Sequence, residues 1–210
     1  GSPRYSLRAR NNEFAKLDVL EQGIKEAHER NKKFFLTVNT LPHNSKLKTF
    51  VSDMEPLIAM KPDALIMADP GLIMTVREKW PEMPIHLSVQ ANTTNYWGVK
   101  FWQNIGVERI ILSRELSMEE IAEIRQECPD IELEVFIHGA LCIAYSGRCL
   151  LSGYFNHRDP NQGTCTNSCR WDYKVHNAVE SDAGDAQLLQ GFNFEKAQEE
   201  ANQNFEGING

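Results

Sequence analysis

The chain has 210 residues, 41% of them hydrophobic and 24% charged, with a formal net charge of −7. That is the composition of an ordinary globular protein, and it excludes low-complexity and collagen-like classes. No apolar run approaches the roughly 18 residues of a membrane helix, and the basic opening at residues 3–10 has no apolar core behind it, so no secretory leader is read there. The expected compartment is the cytoplasm, where cysteines stay reduced and a group of them binds metal more often than it forms bridges.

The net charge is unevenly spread. Residues 177–210 carry seven acids and one base, whereas residues 1–48 carry ten bases and five acids. The whole-chain value argues against a nucleic-acid partner, but the local distribution permits one. A basic run is also the ordinary composition of a solvated face.

In chain order, residues 1–14 show neither helical nor strand period and read as a loop that follows a strand. Asp18 starts a helix whose apolar face is Val19, Leu20, Gly23, Ile24 and Ala27. The chain then repeats one unit. Strands at 34–38, 64–67, 85–89, 110–112 and 133–137 alternate with helices at 45–60, 71–80, 94–105 and 117–128. Apolar strands between amphipathic helices predict an α/β fold with a helix-covered parallel sheet.

Each strand ends in a polar tip: Asn39, Asp69, Gln90 with Asn92, Ser113-Arg114-Glu115, and His138. Parallel α/β proteins place their sites at these carboxyl ends. Five such tips without a GxGxxG turn favour part of a (β/α) TIM-type barrel, since a full one takes about 250 residues. The expected organisation is a partial barrel over 1–141, a cysteine-rich segment over 142–176 and a flexible acidic tail over 177–210. In that tail Phe194, Ala197, Ala201 and Phe205 give a thin stripe for a short helix.

Four of the five cysteines, Cys142, Cys149, Cys165 and Cys169, fall within 28 residues, directly after the apolar run that ends at Ile137. Soft thiolates at this spacing leave three readings open: an iron–sulfur cluster, zinc, or inert or redox-active thiols. Cys128 reads as a plain, partly buried thiol. Asp69, Gln90, Arg114 and His138 are the candidates for catalysis at the strand tips. Asp69 and Glu115 also suit helix caps, and His138 also suits the edge of a packed sheet. Arg4, Arg8, Arg10, Arg148, Arg158 and Arg170 are the candidates for contact with a phosphate backbone. Tyr5, Tyr145 and Trp171 are candidates to stack a base, and each also suits ordinary packing. No HExxH, P-loop or GxSxG pattern occurs.

Glu134, Phe136, Gly139, Ala140, Leu141 and Cys142, followed by Gly147, Cys149, Leu151 and Ser152, resemble the signature of the collagenase-like peptidase family U32. Ten positions in nineteen are fixed by this likeness. Segments 3–8, 39–48, 63–67, 88–92 and 159–165 resemble the family as well. Within it, the chain is most similar to the branch that hydroxylates the wobble uridine of tRNA at carbon 5. The resemblance implies an oxygen-independent reaction, prephenate as a small-molecule hydroxyl donor, and a [4Fe–4S] cluster on Cys142, Cys149, Cys165 and Cys169, with zinc as the alternative metal. It implies tRNA as partner and no membrane. Other readings are a collagenase-like peptidase, hydroxylation of rRNA or a quinone precursor, and a zinc-stabilised binding module. The likeness further implies strands before Gly1 and after the tail.

Overall fold

The computed structural model describes residues 1–139, 142, 144–174, 176 and 178–188. The chain divides into two compact units, Gly1–Cys169 and Arg170–Gly210. Among the described residues no helix is long and apolar enough to cross a membrane.

The first unit is an α/β sheet protein. Strands β1 (Phe35–Val38), β2 (Ala64–Met67), β3 (Ile85–Leu87), β4 (Arg109–Ile111) and β5 (Glu132–Glu134) form one sheet in the order β1-β2-β3-β4-β5, every neighbour parallel. Helices α1 (Leu17–Glu29), α2 (Asn44–Leu47), α3 (Phe50–Ala59), α4 (Pro70–Lys79), α5 (Tyr96–Asn104) and α6 (Met118–Glu127) separate the strands, and a short α7 (Leu151–Asn156) follows β5. The order never reverses, so the sheet has no switch point of the dinucleotide-binding kind. The second unit contains an antiparallel hairpin of β6 (Ala178–Glu180) and β7 (Ala186–Leu188). The stripe from Phe194 to Phe205 lies outside the described residues.

One face of the sheet is wholly apolar. Leu36, Val38, Leu65, Met67, Ile85, Leu87, Ile110 and Leu112 are buried in one cluster with Leu20 and Ile24 of α1, Met54 of α3, Ile73 of α4, Val99 of α5 and Ile124 of α6. Cys128 belongs to the same cluster, and burial pushes its thiol pKa up. The other face runs across the sheet through Ile66, His86, Arg109 and Glu132, which are in register. There Arg109 pairs with Glu132 at 2.6 Å and Glu134 at 3.4 Å. Its guanidinium also lies 5.3 Å from the Phe35 ring centroid, and that ring meets His86 edge-on at 4.7 Å. Burial, and then the Arg109 charge, lower the His86 pKa to about 4.

Local chemistry explains where the elements begin. The Asp69 side chain accepts the Leu72 N–H and Pro70 takes the first turn, so α4 starts one residue earlier than its apolar period implies. Ser117 and Glu120 form a capping box on α6. Gly23 is required by packing, since a Cβ there would stand 2.5 Å from Phe14.

Three expected elements differ, one of them the strand expected at 85–89, which stops at Leu87. The helix expected at 45–60 breaks at Lys48 and Thr49 into α2 and α3. The Lys46 carbonyl, which a continuous helix would give to the Phe50 N–H, instead faces the Tyr5 hydroxyl at 3.2 Å, whose proton goes to Asp53 at 2.7 Å. The strand expected at 133–137 ends at Glu134, and its continuation is not buried. Val135 and Phe136 are exposed, and Ile137 is 94% exposed. β5 is the sheet edge, and no described strand pairs with its outer side.

Leu65→Ala should lower unfolding free energy by about 2–5 kcal/mol, because Leu65 is fully buried. Ile137→Ala should stay within about 0.5 kcal/mol; urea melts check both. The lowered pKa of His86 also predicts a pH dependence. Between pH 6.5 and 4 the unfolded chain binds a proton there that the folded chain refuses, so stability falls as pH drops through that window. His86→Gln should flatten this slope in melts run from pH 7 to 4.

Candidate functional site

The carboxyl ends of the strands form a connected polar floor. At the end of β1, Asn39 accepts the Leu7 N–H and donates to Ser88 Oγ at 3.2 Å. After β3, Ser88 Oγ accepts the Gln90 N–H, and the chain turns through the left-handed Asn92 at φ 52°. This turn replaces the last residues of the expected strand. Asn92 Oδ1 lies 2.9 Å from the Ser113 hydroxyl, which also contacts the Glu115 carboxylate. The hydroxyls of Thr40 and Thr93, at two of these tips, are buried and find no hydrogen-bond partner among the described residues.

The cysteine-rich segment lies down on this floor. Gly147, at φ 74°, brings its backbone so close that a Cβ would stand 2.8 Å from the Gln90 carbonyl oxygen. Gly163, at φ 92°, does the same against the Ser6 carbonyl oxygen, also 2.8 Å. The Asn161 carbonyl accepts the Leu41 N–H, and the Asn161 side chain donates to the Cys149 carbonyl. Gln162 bonds the Leu41 carbonyl, and its own carbonyl accepts from Lys46 Nζ. From β4, Arg114 reaches up to donate to Ser146 Oγ at 2.8 Å, with its guanidinium 6.0 Å from the Phe136 ring centroid. Among the described residues no carboxylate pairs with Arg114, which makes it a candidate seat for an anion.

The expected site residues are therefore placed unequally. Gln90 and Arg114 meet the cysteine segment. Asp69 is committed to capping α4, and His138 is exposed. Arg4 is ion-paired to Asp53 at 2.8 Å. Tyr5, a stacking candidate, is fully buried, and its hydroxyl donates to Asp53 at 2.7 Å. Burial, reinforced by that bond, pushes the Tyr5 pKa up to about 12. Burial also works against the charge of Asp53, but bonds from Tyr5 and Thr49 and the Arg4 charge outweigh it and hold its carboxyl below the usual range. Arg8, Arg10, Arg148 and Arg158 are exposed, and no ion pair forms on them among the described residues. Arg170 is exposed in the second unit, where Trp171 stacks on Tyr173 at 6.4 Å.

Cys142, Cys149, Cys165 and Cys169 are all free thiols; Cys142 and Cys169 are exposed and the other two half-exposed. As a donor set they fit iron–sulfur or zinc chemistry. In position they do not form a ready cage: no three His, Cys, Asp or Glu side chains among the described residues gather closely enough to hold a metal ion. Sequence reasoning missed Ser146 as the anchor of Arg114. It missed α7 too, whose signal is the aromatic pair Tyr154-Phe155 set between Arg148 and Arg158.

Comparison with known proteins matches residues 1–205 to Peptidase family U32. The chain is 66% identical over 184 residues to tRNA hydroxylation protein P of Escherichia coli, covering 88% of this chain and 40% of that protein. It is 41% identical over 176 residues to the protein of the same name from Helicobacter pylori, covering 84% and 42%. It is 34% identical over 175 residues to the 23S rRNA 5-hydroxycytidine synthase of Escherichia coli, covering 83% and 26%. The chain thus spans less than half the length of these relatives.

Gly147→Ala should lift the segment from the strand tips, since both its φ and the Gln90 carbonyl oppose a side chain. Alkylation of Cys149 by iodoacetamide, followed by mass spectrometry, should quicken several-fold. Gly153→Ala, whose Cβ would meet only ordinary contact at 3.8 Å, should leave it unchanged.

Proposed function

The chain belongs to Peptidase family U32, and on that footing we propose that it is part of a tRNA-modifying enzyme that hydroxylates the wobble uridine at carbon 5. The observation that supports this reading most is its likeness to tRNA hydroxylation protein P across most of its length. The reaction is oxygen-independent, with prephenate as the hydroxyl donor, and takes place in the cytoplasm, where the tRNA is.

The geometry supports a division of labour. Arg114, held by Ser146 and free of any described carboxylate, is suited to seat a carboxylate of the donor above the tips that carry Gln90 and Asn92. The exposed Arg8, Arg10, Arg148 and Arg158 are suited to the RNA backbone. Cys142, Cys149, Cys165 and Cys169 are the donors proposed for a [4Fe–4S] cluster. Such a site forms together with its ion, because ligand binding and local folding share one free energy. The sequence holds no HExxH or GxSxG pattern, so no familiar peptidase motif supports the peptidase reading.

Two measurements test the proposal. In tRNA from a strain lacking the gene, 5-hydroxyuridine derivatives at the wobble position should disappear and return with a plasmid copy. Unchanged levels would overturn the assignment, and loss of a hydroxylated rRNA base instead would move the substrate to the ribosome. The full-length protein, purified without oxygen, should contain about four irons and four sulfides per chain if the cluster is a cubane. Cys→Ser at any of the four positions should lower that content, whereas a colourless protein with one zinc would refute the cluster.

A further inference from the structure

Helix α7 is built inside out. Its buried side is polar: Ser152, 2% exposed, accepts the Thr166 N–H at 3.1 Å and the Thr166 hydroxyl at 3.0 Å. On the same side the Asn156 amide donates to Thr166 Oγ1 and Ser168 Oγ, both at 3.2 Å. Its outer side is apolar, with Leu150 77% and Tyr154 80% exposed. These two are four residues apart and therefore lie on one face, one above the other. The Tyr154 and Phe155 rings meet edge to face, with centroids 5.1 Å apart and planes at 80°. A face of the tyrosine ring is thus left for a further flat partner. A helix that spends its hydroxyl and amide groups inward and its aromatic outward is shaped for something that covers it.

The charge around the helix selects what that is. From Cys142 to Arg158 there is no acidic residue, and the first carboxylate, Asp159, is used to cap the following turn. Arg148 and Arg158 bracket the helix in the chain, three residues before it and two after, exposed and without ion pairs among the described residues. An apolar protein surface would leave those cations uncompensated. A strand of nucleic acid compensates them with phosphates and offers bases to the ring.

We propose that Tyr154 on α7, flanked by Arg148 and Arg158, is a stacking platform for a single-stranded RNA base. The platform rests on the reading of this chain as part of an RNA-modifying enzyme. It adds to that reading the requirement that the RNA arrive unpaired at this helix.

The test uses the full-length protein and two fluorescent probes, a uridine-rich single-stranded RNA and a duplex of equal length. Tyr154→Ala should weaken single-strand binding by about 5- to 20-fold, with an unchanged salt slope and little change on the duplex. Tyr154→Phe should bind like the parent, because the ring is kept. Arg148→Ala and Arg158→Ala should each reduce the logarithmic salt slope by about 0.7. Equal binding by Tyr154→Ala and the parent would overturn the platform. So would a lower melting temperature or a dissociated oligomer in that variant without loss of RNA affinity, since α7 would then be covered by the rest of the polypeptide or by a second copy. Loss of wobble hydroxylation is a separate readout. If Tyr154 governs single-strand binding while wobble uridines are unaffected by gene loss, the platform stands and the tRNA assignment falls.

Discussion

The placement of the cysteine segment depends on close contact between two stretches of backbone. At Gly147 and Gly163 the chain comes so near to the Gln90 and Ser6 carbonyls that no side chain fits, and both residues adopt a φ that other residues resist. Everything else at the site follows from this approach. It sets Ser146 where the Arg114 fork reaches it, and brings the Asn161 carbonyl to the Leu41 N–H. It also lets Asn161 hold the Cys149 carbonyl. The segment is fastened to the strand tips by backbone, amide, hydroxyl and cationic groups, and among the described residues no sulfur takes part in these bonds.

The N-terminal segment supplies the second wall of this arrangement, and it is itself tied down by one carboxylate. Asp53 accepts from Tyr5, Thr49 and Arg4, so the opening loop, the break between α2 and α3, and the body of α3 share a single anchor. This changes the meaning of the basic N-terminal stretch. Arg4 is spent on Asp53 and Lys46 on the Gln162 carbonyl. The positive charge that remains open to a partner sits on fewer residues, Arg8 and Arg10 among them. A local charge count overstates a field when part of the charge is already used to hold the fold.

How much of this could be read from the sequence follows from the range of each interaction. Strand β2 lies where its apolar run places it, and α4, α5 and α6 lie within two residues of their periods, because burial on one face is a local pattern. The break in the second helix was not legible, since the groups that meet there, the Lys46 carbonyl, Asp53 and the Tyr5 hydroxyl, come from segments more than 40 residues apart. Tyr5 suited either a stacked base or ordinary packing, and composition could not choose; it packs edge-on against Phe50 at 5.1 Å in the core. The run from Leu133 to Ile137 has the composition of a buried strand, but composition does not supply a neighbour, and at the sheet edge its second half is exposed. At the site, the polar tips and the proximity of the cysteine segment to them were legible from chain order. The anchoring through Ser146 and the inverted helix were not, because both depend on which side of a short turn faces inward.

That no three donors gather at a point among the described residues is consistent with this frame. Thiolates repel one another, and protonated thiols gain little by approaching, so a free donor set has no reason to close by itself. What a soft metal requires of the protein is that the donors be free, exposed enough to lose a proton, and carried on backbone that can bend. Cys142 and Cys169 are exposed, and Cys149 and Cys165 are half-exposed. Asn167, at φ 56°, and Gly163 mark sharp turns around Cys165. The cost of closing such a site falls on the segment between these turns and not on the sheet, because the anchors at Gly147 and Asn161 already fix the segment to the strand tips. Movement of the sulfurs within this segment would therefore leave the contact of Arg114 with Ser146 in place, because the anchors at Gly147 and Asn161 lie outside the turns around Cys165.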